Sequence, residues 1–277
     1  MVKSATNYRL LFDLSGRTAI VTGGAGILGS QFCHALASHG AQVAVVDIRA
    51  AEAKSLAHEL QAQYGSQAIG VACDLTQPDS VKIMLEEVLL RFGQVNILHN
   101  NAAGKSDDLK AFFANFEDYS LEEWQKIMQL NLDSMFLVAQ AVGGQMKKQG
   151  QGGSIIQTAS IYGIMAPDHR IYAGSFYLDT EINTPAVYAA SKGGVVALTK
   201  YLATYWAKDG IRVNTLTPGG VESGQNETFI KNYSARVPLG RMAQPQEMAG
   251  ALLYLASNAS GYVTGQNLVV DGGLSAW

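Results

Sequence analysis

Between residues 17 and 38 the chain passes from a short apolar run into a glycine-rich turn and then into a helical pattern, and few folds accommodate that succession. Arg17-Thr18-Ala19-Ile20-Val21 is a brief apolar run of the kind a buried parallel strand shows. It leads straight into Thr22-Gly23-Gly24-Ala25-Gly26-Ile27-Leu28-Gly29. Gly24, Gly26 and Gly29 fit G-x-G-x-x-G, whose glycines permit a tight turn and close backbone approach to a pyrophosphate held at a helix N-terminus. Alone that fingerprint is weak, but here a strand precedes it and a helix follows. The next apolar run, Ala41-Gln42-Val43-Ala44-Val45-Val46, ends in Asp47, 23 residues after Gly24 and near the spacing at which a carboxylate accepts the ribose hydroxyls of NAD. The plainer role, a cap on the following helix, is the weaker reading of Asp47.

The same alternation continues. The patterning predicts helices over 51–64 and 80–92, strands over 68–73 and 95–99, and then Asn100-Asn101-Ala102-Ala103-Gly104 at a strand end. Ser120 and Glu123 form a capping box for a long helix that carries Asn131, a mediocre helix former in mid-helix. Further strands are expected over 153–159, 211–217 and 267–270, with helices over 185–206 and 245–257. Strand and helix in strict alternation predict an α/β fold in one domain over 1–277, a doubly wound parallel sheet (Rossmann fold) with helices on both faces and right-handed crossovers. Its ligand site would lie beyond the carboxyl ends of the strands. Segments 104–119, 164–184 and 222–240 stand out as loops able to meet a substrate.

Tyr188 and Lys192 are spaced i, i+4, so a helix over 185–206 places them on one face. An unperturbed phenol, with a pKa of about 10, is too weak an acid for efficient proton transfer at neutral pH, and a neighbouring ammonium favours its phenolate. Two residues at this spacing are more often an ordinary amphipathic face; the motifs around them give the pair its weight.

Composition excludes several classes. Hydrophobic residues make up 48% of the 277 and charged residues 16%, with a net charge of −3 and no run of five or more like charges, which gives no support for a nucleic-acid surface. The opening residues lack a signal-like apolar core and no segment is long and apolar enough to span a membrane, so a cytoplasmic protein with no membrane partner is expected. Cys33 and Cys73 lack metal-ligand spacing and read as buried thiols, with no metal expected.

Taken in order, the Thr-Gly glycine turn, Asp74, Asn100-Asn101-Ala102, Ser160, Tyr188/Lys192 and Pro218-Gly219 resemble the short-chain dehydrogenase/reductase family over roughly residues 12–273. The resemblance implies Tyr188 as catalytic acid/base, Lys192 as the group that lowers its pKa and holds the nicotinamide ribose, Ser160 as donor to the substrate oxygen, and Asn131 as the residue ordering a proton-relay water chain. It further implies pyrophosphate contacts from Gly23, Ala25, Gly26, Ile27 and Leu28, an adenine clamp from Asp74 and Leu75, and an adenosine-ribose contact from Asn101 and Ala102. Pro218, Gly219 and Val221 would meet the nicotinamide, and Ser223 stands where a Thr often holds its carboxamide. Ile27 stands where the family usually has Gly, the central glycine being moved to Gly26, and Ala103 replaces the usual Gly after Asn-Asn-Ala, with Gly104 next to it. Members are commonly homotetramers packed through the helices that begin near Ser120 and Tyr188.

The expected activity is hydride transfer between NAD(H) and an alcohol/carbonyl pair. A non-catalytic dinucleotide-binding protein and an extended-branch nucleotide-sugar epimerase or dehydratase are rivals; the full set Asn131, Ser160, Tyr188 and Lys192 argues against the first. Only 85 residues follow Lys192, which argues against the second. Ser160 and Tyr188 are separated by 28 residues, where the family commonly has about half that, so a loop is inserted beside the reacting carbon. It carries Asp168, His169, Arg170, Tyr172, Tyr177, Asp179 and Glu181, with Lys105 entering from another loop. A polar, sugar-derived substrate is expected, its phosphate or carboxylate held by Arg170 and His169 if it carries one; the alternative is a solvated surface loop, or one packed against a neighbouring subunit. The ending Asp271-Gly272-Gly273-Leu274-Ser275-Ala276-Trp277 and this loop look like oxidoreductases of flagellin and surface-polysaccharide sugar modification. The runner-up, a secondary alcohol or 3-oxoacyl substrate, needs an apolar wall from 222–238, whose Glu222, Gln225, Asn226, Glu227 and Lys231 make a poor one.

Overall fold

The computed structural model describes residues 7–277; the reading of the opening falls partly on residues 1–6, which lie outside those described. Strands β1 (Thr18–Thr22), β2 (Gln42–Asp47), β3 (Ala68–Ala72) and β4 (Ile97–Asn100) alternate with helices α1 (Ile27–Ser38), α2 (Ala50–Tyr64) and α3 (Pro78–Phe92). A short α4 (Leu109–Phe112) precedes α5 (Leu121–Met128) and α6 (Ser134–Gln149), and β5 (Gly153–Thr158) follows. The inserted segment forms a small antiparallel hairpin, β6 (Phe176–Tyr177) with β7 (Thr180–Glu181). Then come α7 (Ala186–Tyr205), β8 (Ile211–Pro218), α8 (Glu227–Ser234), α9 (Ala249–Ala256) and β9 (Asn267–Val270).

Seven strands form one sheet in the order β3-β2-β1-β4-β5-β8-β9, every neighbouring pair parallel. Because strand side chains alternate, one strand feeds two cores. Ala19 and Val21 of β1 join Phe32 and Leu36 of α1, Leu60 of α2 and Leu252 of α9, whereas Ile20 joins Met84 of α3, Val138 of α6 and Leu202 of α7 on the other face. The doubly wound sheet expected from the alternation is thus the observed one. Burying a large aliphatic side chain contributes about 1.5–3 kcal/mol, against about 1 kcal/mol lost for each glycine in a helix. That balance lets α7 run unbroken for 20 residues through Gly193 and Gly194, since Val187, Val195 and Leu202 are buried along it.

Two expected helices differ in detail. The helix that opens at Ser120, whose side chain accepts from the Glu123 N–H, does not stay α: Gln129–Asp133 is a π-helical segment between α5 and α6. That extra residue in the turn carries Asn131 to the interior, where it is fully buried. The helix expected over 245–257 begins as a 3₁₀ turn, Pro245–Met248, before α9.

On the sheet, β1 pairs with β2 on one side and β4 on the other, so the chain leaves β1's neighbours in opposite directions and a crevice opens at their carboxyl ends. The glycine turn closes against it. Gly23 adopts φ +60°, a left-handed conformation that favours glycine, and Gly29 lies so near the turn that a Cβ on it would sit 2.9 Å from the Gly24 Cα and collide with the Gly23 carbonyl. Gly29→Ala should therefore force helix and turn apart. We expect a loss of about 1–3 kcal/mol, a Tm lower by several degrees in calorimetry, and weaker dinucleotide binding. An unchanged Tm would show that this approach is not tight.

Candidate functional site

The carboxyl ends of β1, β2, β4, β5 and β8 deliver their residues to one groove of about 570 Å³. Gly23, Gly26, Ile27 and Leu28 line it from the glycine turn, Asp47 from β2, Leu75 from the turn after β3, and Asn101 and Ala102 from β4. Pro218, Gly219, Val221 and Ser223 line it from the end of β8, and Ser160, Tyr188 and Lys192 close it at one end. Helix α1 begins at the groove with Gly26 as its N-cap and no side-chain cap hydrogen bond, so backbone N–H groups of its first turn are available to an anion. Glycine at the turn, an uncapped helix start and a carboxylate at the end of β2 fit an adenine dinucleotide.

Three expected contributors stand differently. Ala25 does not line the groove; its N–H donates to Asp47 Oδ2 at 3.1 Å. Asp74 does not line it either, because its carboxylate accepts from the Thr76 N–H at 3.0 Å and the Thr76 hydroxyl at 2.6 Å, which leaves Leu75 alone facing the space. Asn131 lies behind the groove, and its Oδ1 accepts from Gly104 N at 2.9 Å. The Asn131 Nδ2 is buried without a partner.

Asp47 is more occupied than its spacing suggests. Beside Ala25 N, its Oδ1 accepts from Arg49 N and Nε, both at 3.1 Å, and its Oδ2 from an Arg49 terminal nitrogen at 3.3 Å. Leu130 and Thr158 are lining residues that sequence reading did not assign to the groove. Thr158 follows directly from its place at the end of β5, two residues before Ser160, while Leu130 owes its position to the π-helical segment and carries no sequence signal.

The three polar groups at the closed end come from β5 and α7. Ser160 and Tyr188 line the same space, and Lys192 Nζ donates to the Thr158 carbonyl at 2.9 Å. Burial raises the Tyr188 pKa, and the Ser160 hydroxyl opposes that rise. Lys192 is itself almost fully buried, and burial pushes its ammonium down to about 8.

A second cavity of about 440 Å³ continues from Ser160 and Tyr188. Its walls include Lys105, Tyr162, Tyr172 and Asn183, with Phe229 and Tyr233 from α8. Phe229 and Tyr233, spaced i, i+4, are the apolar wall that the charged look of 222–238 hid. The inserted segment is part of this wall, since Ile171 and Tyr172 are buried among Ile161, Phe229 and Tyr233. Its charges point elsewhere. Arg170, with its side chain 85% exposed, is held by Asp168 at 2.8 Å, and Arg236 pairs with the same carboxylate, so Arg170 does not meet the cavity. His169 lines a separate outer cavity. Lys105 remains, with Nζ 3.6 Å from the centre of the Tyr177 ring.

Because burial holds the folded-state pKa of Lys192 at about 8, below that of an ordinary lysine, the unfolded chain binds more protons between pH 8 and 10. Stability of the unliganded protein should therefore rise through that window, by an amount on the order of 1 kcal/mol or more. Thermal melts of Lys192→Met across the same window should lack the rise, and a mutant that retains it would assign the titration to another group.

Comparisons with known proteins agree with this geometry. A family model described as "Enoyl-(Acyl carrier protein) reductase" matches residues 24–275. The D-threitol dehydrogenase of Mycolicibacterium smegmatis is 36% identical over 95% of this chain and 94% of its own length. The ribulose-forming D-arabinitol 2-dehydrogenase of Scheffersomyces stipitis is 34% identical over 96% of each. A crystal structure of a short-chain type dehydrogenase/reductase from Mycobacterium marinum superposes with a TM-score of 0.84 at 37% identity, over 96% of this chain and 98% of that one. By these matches over nearly its whole length, the chain belongs to the short-chain dehydrogenase/reductase family of oxidoreductases acting on CH–OH groups through a nicotinamide dinucleotide.

Proposed function

We propose that the protein interconverts an alcohol and a carbonyl on a free polyol or sugar, with NAD(H) as cofactor. The observation that carries the substrate class is the convergence of hydroxyl and amide groups beyond the reacting position: Tyr162, Tyr172, Asn183, Gln225 and Tyr233 reach one cavity from four parts of the chain. Several hydroxyl-binding groups around a small cavity suit a polyhydroxylated ligand, whose C–H faces pack on the Phe229 and Tyr233 rings. The polyol substrates named for the two relatives support the same reading. The narrower likeness to flagellin and surface-polysaccharide enzymes has no counterpart in those names. Nor does the cavity offer Arg170 to a phosphate.

When bound, the dinucleotide supplies the hydride acceptor or donor. Tyr188 holds the proton exchanged with the substrate oxygen, and Ser160 donates to that oxygen as charge develops on it. Lys192, anchored on the Thr158 carbonyl, brings a cation to the buried end of the groove, which favours the Tyr188 phenolate that burial opposes. Asn131 fixes the loop after β4 through Gly104 N, so its role is positioning. Asp47 selects NAD(H), because the added phosphate of NADP(H) would meet a carboxylate whose neighbouring Arg49 is already engaged.

A second reading draws on Phe112, Phe229 and Met242, which give the cavity an apolar side suited to a hydrophobic secondary alcohol or a 3-oxoacyl chain. The assembly we propose is a homotetramer of cytoplasmic protein. Exposed Phe136 on α6, with Tyr201 and Tyr205 stacked on α7, supports packing through those helices. Among the described residues no helix is long and apolar enough to cross a membrane.

A panel of tetritols, pentitols, hexoses, hydrophobic secondary alcohols and 3-oxoacyl thioesters tests the substrate class. Polyols should be turned over with the highest kcat/KM, and a preference for the hydrophobic members would move the assignment to the second reading. Tyr188→Phe should lower kcat by at least ~10³-fold while NADH affinity changes little, since the ring stays and the proton donor goes; equal losses in both would make Tyr188 structural. Asp47→Ala should bring the efficiencies with NAD and NADP together, and an unmodified enzyme already indifferent to the two cofactors would remove the role given to Asp47.

A further inference from the structure

His99 in β4 is fully buried, and its ring lies edge-on to Phe32 with centroids 4.3 Å apart. Its Nε2 is 2.8 Å from Thr158 Oγ1, which in turn lies 3.2 Å from Asn101 Oδ1. The direction of this chain follows from its far end. Asn101 Nδ2 donates to the Thr22 carbonyl at 3.2 Å, and a carbonyl can only accept, so the other amide atom, facing Thr158, is the oxygen. The single Thr158 hydroxyl proton therefore goes to Asn101, and His99 must supply an Nε2–H. The bare Nδ1 is consistent with this tautomer, since it is buried with no partner. A second proton would have to sit there, and burial accordingly holds the His99 pKa down to about 3.

We propose that His99 is a positioning residue for the dinucleotide. Without the histidine, the Thr158 hydroxyl has no donor to fix it and can rotate off Asn101. Asn101 would then keep only its contacts to Thr22, where its own N–H and that of Ala102 donate to the Thr22 hydroxyl at 2.9 and 3.1 Å. Asn101, Ala102 and Thr158 all line the groove, and the Thr158 main chain also carries the carbonyl that anchors Lys192. His99 thus sets the Asn101 carboxamide from a position that touches no ligand. The proposal rests on the assignment of the groove to a dinucleotide.

Fluorescence titration with NADH tests it on the intact protein. His99→Leu and Thr158→Val should each raise the NADH Kd at least fivefold, while the double variant should be no worse than the weaker single one within twofold, because both changes break one chain. His99→Gln keeps an N–H donor and should bind within twofold of the unmodified protein. At saturating dinucleotide, kcat of His99→Leu should fall less than twofold. An unchanged Kd in folded His99→Leu, or multiplied effects in the double variant, would overturn the proposal. If His99→Leu does not fold, Thr158→Val with His99→Gln decides: an unchanged Kd in the first or a large loss in the second rejects it. Failure of the unmodified protein to bind NADH or NADPH would reject the groove assignment itself.

Discussion

A parallel strand cannot reach its neighbour through a tight turn; the chain must climb back across a face of the sheet before it can pair again. In this protein that constraint is applied throughout the seven-stranded sheet, so every pairing strand ends at the same edge. The glycine turn, Asp47, Asn101, Ser160 and Pro218 come from residues far apart in sequence, yet each is the first or second residue past a strand end or the last residue of one. The groove is the geometric result of parallel pairing on both sides of β1, with both cores needed to hold the crossovers down.

Polar groups at the closed end are buried more deeply than their chemistry favours, and the hydrogen bonds around them are what make that tolerable. Lys192 would be an isolated buried cation without the Thr158 carbonyl. Tyr188 depends on Ser160 in the same way, and burial still holds its proton more firmly than in water. The unliganded site is therefore set with an unusually weak phenolic acid beside an unusually acidic ammonium, which are opposite displacements produced by one cause. A bound dinucleotide brings its own charge into this end of the groove, so the balance between the two groups belongs to the complex.

The inserted segment gives the cavity its character. Asp168 holds both Arg170 and Arg236 and caps the 3₁₀ turn that carries Ile171 and Tyr172 inward. Beyond it the hairpin turns through Leu178 and Asp179 at φ 47° and 59°, two non-glycine residues in the left-handed region. The turn is held from two sides, by Lys105 against Tyr177 and by Asn226 Nδ2 donating to the Phe176 carbonyl at 2.9 Å. A segment so tied holds Ile171 and Tyr172 in place in the wall beside Ser160 and Tyr188.

The sequence by itself determined the alternation of strand and helix, the parallel sheet, and the residues at its edge, because period, glycine spacing and strand ends are local properties that short stretches encode. The family resemblance also picked out Ser160, Tyr188 and Lys192, which the fold brings to one groove. Tertiary structure alone decided what each side chain meets. Arg170 and Asp74 were well placed in sequence, but in the fold their side chains are engaged by Asp168 and Thr76, partners only two residues away. Phe229 and Tyr233 were hidden among charges because only packing shows which face of α8 turns inward. Asn131 reached the interior through a π-helical turn, and His99 gained its role from residues 59 positions away in β5, couplings that depend on distance in space and leave no periodic trace in the chain.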